Sequence, residues 1–249
     1  MEINMNDIGR EIVSNNTNGF LYAPNCDNRS IFLKDLEKKF PIIPDSKKPA
    51  VLYLSKFAFP KAPIDREKTE RFGVACLHSD YLSLSIAVRL LERTIEASIP
   101  SVDERLSSLI KSTGGIKAGN SATIGWLSDE LKKTMKIYEE EGKKYLIGEK
   151  EFPLTELLVQ VEHINYFATE CKRLLGIQYF VTVLDHKWPI SASATKAVND
   201  LLASSVEETL AIKVATAEGD WKSFYKSSGM AIERIDDYQE TDLGPYILK

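Results

Sequence analysis

The chain has 249 residues, 43% of them hydrophobic and 27% charged, which suits a folded protein with a full core. Its formal net charge of −4 excludes a protein-wide basic field that would draw it to nucleic acid or anionic lipid. Cys26, Cys76 and Cys171 are odd in number and far apart, which excludes a disulfide framework and a Cys-x-x-Cys metal site.

The N-terminus, MEINMNDIGREIV, carries acids early and has no uninterrupted apolar stretch, so it does not read as a secretory signal. No apolar run reaches the length of a membrane span. The expectation is a cytoplasmic protein without membrane association. Residues 19–23 (GFLYA) form a short apolar strand that ends in a polar loop, PNCDN. Ile31, Phe32, Leu33 and Leu36 then follow a helical pattern that stops before Pro41. Residues 50–57 (AVLYLSKF) predict a second buried strand, and the proline-containing, charged stretch 56–71 a loop.

From Asp80 the spacing predicts a long helix with Leu82, Ile86, Leu90, Leu91 and Ile95 on one face and Pro100 closing it. Residues 101–150 form a helical excursion, with patches over 102–111 and 122–141 flanking the tract STGGIKAGNS. Thr155 heads a TELL capping box for a helix through Val161, Ile164, Ala168, Cys171 and Leu175, and Gly176 is placed to cap its end. Residues 177–184 (IQYFVTVL) are apolar throughout and predict a strand buried on both faces. A helix over 193–206, a strand over 210–216 (LAIKVAT) and a strand over 230–235 complete the series. Strands alternating with helices imply an α/β fold: one domain over residues 1–249, a mainly parallel sheet with helices on both faces and a helical insertion.

A parallel sheet binds a nucleoside triphosphate where a strand ends in a loop of backbone N–H groups and the next helix points its N-terminus at the phosphates. The motif for that loop is G-x-x-x-x-G-K-[ST]. Strand GFLYA leads into Ala23, Pro24, Asn25, Cys26, Asp27, Asn28, Arg29 and Ser30, with the right spacing but altered chemistry. Ala23 and Asn28 replace glycines, and Asn is the residue that best tolerates the positive φ wanted there. Arg29 replaces the lysine that reaches the phosphates, and Asp27 puts a carboxylate inside the cradle. Ser30 keeps the hydroxyl for Mg²⁺. An emptied cradle of this kind satisfies itself, with Asp27 as an internal anion and Arg29 paired with Asp27 or Asp185. The second half of such a site is a buried strand ending in Asp-Glu; strand 177–184 ends in Asp185-His186, and Thr216 stands where a sensor residue would lie.

These patches, in this order, resemble the bacterial origin-recognition and Cdc-type ATPases of the AAA+ superfamily. The resemblance extends over residues 18–243 through AVLYLSKF, HSDYLSLSIAVRLL, ATKAVNDLLASS, LAIKVATAEGDW and MAIERIDDYQETDL. It implies ATP and Mg²⁺ as cofactors, Asn25, Cys26, Asp27, Asn28, Arg29, Ser30, Ile31 and Thr216 around the nucleotide, and Ser30 and Asp185 at the metal. Asp185 and His186 would be the catalytic pair. It further implies a bacterial multiprotein assembly, in genome maintenance or phage defence, with a protein partner or oligomer and DNA by analogy.

Three readings stand. The first is a hydrolysis-deficient interaction or regulatory module, at most a weak ATPase. The second is a working ATPase in which Ser30, Asp185 and Arg29 serve a divergent site. The third is a purely structural interaction domain that docks through the excursion. His78, His163 and His186 have no zinc or triad spacing. Cys26 sits at a helix start, which favours thiolate, although a bystander thiol is the commoner case. Trp188 follows the Asp185 strand and either covers the site's mouth or simply packs. Lys132, Lys133 and Lys136 precede Glu139, Glu140 and Glu141, which fits a solvated helix face.

Overall fold

The computed structural model describes residues 5–24, 27–57, 72–97, 109–110, 122–146, 161–186, 190–205 and 208–247. The described elements run α1 (Met5–Ser14), β1 (Gly19–Tyr22), α2 (Asp27–Lys39), β2 (Ala50–Leu54) and α3 (Phe72–Glu96). They continue with α4 (Ile124–Leu146), α5 (Val161–Leu175), β3 (Phe180–Asp185), α6 (Ala192–Ser204), β4 (Leu210–Thr216), β5 (Gln239–Asp242) and α7 (Gly244–Ile247).

The five strands form one sheet in the order β2-β3-β4-β1-β5, with every neighbouring pair parallel. All residues of β2, β3 and β4 are buried, as their largely apolar runs require when helices cover both faces. The side chains still alternate. Leu21, Val51, Val181, Val183 and Ala215 pack against Ile8 and Ile12 of α1 and Leu33 and Leu36 of α2. Phe20, Leu52, Phe180, Ile212 and Val214 face the other way, onto α3, α4, α5 and α6 through Leu84, Leu127, Phe167 and Leu201. This is the three-layer α/β arrangement expected from the sequence.

Handedness explains which helix lies where. The β1-to-β2 connection moves across the sheet in one direction, while β2-to-β3, β3-to-β4 and β4-to-β5 move in the other. Right-handed crossovers in opposite directions must use opposite faces. Thus α2 covers one face and the later connections cover the other. Strands β1 and β4 are neighbours whose chains leave to opposite faces, and the crevice beyond their carboxyl ends is the switch point at which such sheets bind ligands.

Four sequence expectations are corrected. Helix α3 begins at Phe72, two turns before Asp80, so His78 lies inside the helix and is buried. Strand β3 begins at Phe180, because Gln178 N–H bonds to the Lys48 carbonyl and the Tyr179 hydroxyl to the Val13 carbonyl, outside the ladder. The strand expected over 230–235 is absent: Ala231 makes one isolated bridge to Tyr225, and the edge strand is the polar QETD. Asn28 is helical, and the described non-glycine residues with positive φ are Asp45, Lys47 and Ile235. Helix α4 matches the second excursion patch. The tract 112–121, the Thr155 cap, Trp188 and the side chains of Cys76 and His163 lie outside the described residues.

Among the described residues no helix is long and apolar enough to cross a membrane.

Candidate functional site

Four residues separate β1 from helix α2, which lies along the sheet, so its buried stripe sets the chemistry. Arg29 and Ser30 fall on the same stripe as Phe32, Leu33 and Leu36, and all five are buried. Asp27, Asn28 and Ile31 fall on the solvent side, Ile31 at 57% exposure. Asp27 therefore favours the helix N-terminus from its exposed first turn. Asn25 and Cys26 lie outside the described residues.

The arginine turns inward and is fully buried, as is Asp185 at the end of β3. Its Nε donates to Asp185 Oδ1 at 3.1 Å, and Nη2 stands 2.9 Å from the same oxygen. Nη2 also donates to the His186 carbonyl at 2.7 Å, and Nη1 to the Ala23 carbonyl at 3.2 Å. One guanidinium thus ties the ends of β1 and β3 to the first turn of α2. The other carboxylate oxygen, Asp185 Oδ2, accepts the Ser30 hydroxyl at 2.5 Å and the Tyr53 hydroxyl at 2.7 Å. Burial, and then the bond to Asp185, push the Tyr53 phenol up, which keeps it a donor.

Of the two pairings open to Arg29, the structure takes the one with Asp185. Tyr53 was not legible as a site residue, since inside AVLYL it looks like packing. Its place follows from register: Tyr53 pairs with Val183, two residues before Asp185 on the same face.

On the other side of the sheet, His186 Nδ1 lies 3.1 Å from Thr216 Oγ1, and its ring meets Trp221 edge-on at 5.6 Å. The ladders run one residue past the strands: His186 N–H bonds to the Ala215 carbonyl and Ala23 N–H to the Thr216 carbonyl. The sequence-picked residues Arg29, Ser30, Asp185, His186 and Thr216 therefore meet at the carboxyl edge of β1, β3 and β4.

A cavity of about 750 Å³ opens beside them, at the ends of β1, β4 and β5. Tyr22, Trp221 and Phe224 supply aromatic walls, and Glu218, Glu240 and Asp242 supply carboxylates. Among the described residues, no lysine or arginine lines it. The aromatic side is pinned by Asn199 of α6, whose amide donates to the Ser223 and Tyr225 carbonyls and accepts from Trp221 Nε1. Among the described residues, no group of three or more His, Cys, Asp or Glu is disposed to hold a metal ion.

Fold and site together define a parallel α/β three-layer protein with a buried arginine–aspartate lock at its switch point. No family model, curated protein or solved structure matches the chain.

Proposed function

We propose that this chain is a P-loop-ATPase-like domain that does not turn over nucleotide and works as a protein-interaction or regulatory module in a multiprotein assembly. The observation that carries this reading is the saturation of Asp185: a guanidinium holds Oδ1, and two hydroxyls hold Oδ2. Mg²⁺ demands near-octahedral oxygen ligation and keeps several waters. It does not fit a dry carboxylate whose positions are filled and whose neighbour, Arg29, is a cation at 2.9 Å. The triphosphate fits no better. The guanidinium that would meet it is spent on two carbonyls and Asp185, and the adjoining cavity presents three carboxylates.

Among the partners that the family resemblance implies, protein is favoured over DNA, because the net charge of −4 and those carboxylates repel phosphodiesters. Apolar side chains on the segment after β4 suit a protein contact, with Tyr225 at 55%, Met230 at 61% and Ile235 at 80% exposure.

The test is calorimetric titration of the full chain with ATP and Mg²⁺, alongside Asp185→Asn and a phosphate-release assay. The expected result is no saturable heat at millimolar ATP and no release. Mg²⁺-dependent release that Asp185→Asn abolishes would overturn the proposal and establish the working ATPase.

A further inference from the structure

We infer that the cavity at the ends of β1, β4 and β5 is a binding site for a guanidinium group. Its volume, about 750 Å³, lies within the range of small-ligand sites, and it sits at the switch point, where open parallel sheets bind. Its walls combine the two surfaces that guanidinium prefers. The half-buried Tyr22 and Phe224 offer ring surface for stacking beside the buried Trp221, and the carboxylates of Glu218, Glu240 and Asp242 allow charge-assisted, bidentate hydrogen bonds. The rings are held in place rather than adaptable. Phe20 packs against Trp221 at 5.4 Å and Phe224 at 5.5 Å, and Asn199 fixes the Trp221 indole.

The protein already displays this chemistry at the rim. Arg234, a solvent-facing residue, places Nη2 3.1 Å from Glu240 Oε2, while Tyr22 donates to Oε1 of the same carboxylate at 3.2 Å. Tyr22 thereby aims Glu240, and Arg234 is an internal competitor for it. A visiting guanidinium would displace Arg234 from Glu240 and take up Asp242, two residues along the same face of β5, or Glu218, both exposed. The same group reaches the site from a partner's arginine side chain or from a free alkylguanidine.

The test is calorimetric titration of the full chain with N-acetyl-arginine methylamide and with its neutral citrulline counterpart, which has nearly the same shape and no charge. Saturable binding of the arginine compound is expected, with the citrulline compound about tenfold weaker or worse. Glu240→Gln should weaken binding by about tenfold, and Arg234→Gln should tighten it by removing the competitor. Asp129→Asn, which removes an exposed carboxylate on α4, should leave the affinity unchanged and so separates a site from a general loss of negative charge. A capped Gly-Arg-Gly peptide that binds more tightly than agmatine assigns the group to a protein partner. The reverse order assigns it to a free alkylguanidine, and either order supports the site. Equal binding of arginine and citrulline compounds, no binding at millimolar ligand, or an unchanged affinity in both variants would overturn it.

Discussion

The arginine–aspartate lock can be broken from either end, and the two ends predict different costs. Arg29→Met removes the cation and leaves Asp185 fully buried with only the Ser30 and Tyr53 hydroxyls. Removing one partner of a buried ion pair costs about 3–5 kcal/mol, because the remaining charge is left without compensation. The Ala23 and His186 carbonyls also lose a donor, at about 1 kcal/mol each. These contributions overlap, so Arg29→Met is expected to cost about 4 kcal/mol, a large part of a typical domain's stability of about 5–15 kcal/mol.

Asp185→Leu strands the guanidinium with two carbonyls, and a similar loss of about 3–5 kcal/mol is expected. The double variant removes both charges at once. Replacing a whole buried pair with apolar side chains is often neutral or better, and here two carbonyls and two hydroxyls still lose partners. The double variant should therefore lie within about 2 kcal/mol of the parent, well short of the summed singles. Urea denaturation of the four proteins gives the cycle, with unchanged m-values as the check that the unfolding reaction is the same. Additive losses, or an Arg29→Met cost below about 1 kcal/mol, would refute the idea that this pair locks the strand ends to α2.

Asp80 and His78, both buried on α3, should give opposing pH dependences. Burial pushes Asp80 up to about 7 from 3.8, so its contribution is best at low pH and is lost as pH rises through 7. Burial pushes His78 down to about 4 from 6.5, so its contribution is present above 6.5 and lost as pH falls through 4. The two slopes oppose between pH 4 and 6.5, and thermal melts of Asp80→Asn should expose a stability that climbs with pH there; a flat profile would count against the assignment. Gly176→Ala should cost roughly 1–3 kcal/mol in urea, because φ is +62° and an added Cβ would stand 3.0 Å from Asp45 Cα and closer still to its carboxylate. An unchanged midpoint would mean that the α5 C-cap relaxes freely.

Much of the sheet was legible because burial on both faces favours largely apolar runs. FVTVL and LAIKVA could hardly be anything else, and a strand ending in Asp followed by a strand ending in Thr placed two residues of the site. Helix α2 was legible from its periodicity, and its stripe of Phe32, Leu33 and Leu36 could have shown that Arg29 points inward. What the sequence hid was set by position in the sheet. Strand β5 reads QETD because it lies at the edge, paired on one side only, so it carries no apolar signal. The more apolar MAIERI attracted the strand assignment, although it packs through Ile232 alone and exposes Met230 and Ile235. Tyr53 and Glu240 needed register. Nothing local marks a tyrosine in an apolar strand, or a glutamate in a polar one, as a partner of residues more than a hundred positions away.

The charged residues at the switch point share one electrostatic direction. A phosphate cradle needs positive charge that is available to the ligand. Here the one cation in the loop is drawn under the sheet edge by Asp185, where its charge is neutralised and its donors are consumed. Asp27 adds negative charge at the mouth of α2, and Glu218, Glu240 and Asp242 add more at the ends of β4 and β5. Each of these charges alone would weaken anion binding. Together they reverse the sign of charge that the crevice favours, and the aromatic walls then supply what a cation, not a phosphate, can use. Arginine is also the better residue for the lock than lysine. Its planar fork reaches Asp185 and two carbonyls on separate strands at once, whereas an ammonium on a flexible stem offers no such fixed span. Arg29→Lys should therefore loosen the strand ends without creating a phosphate site, because the carboxylates around the crevice remain.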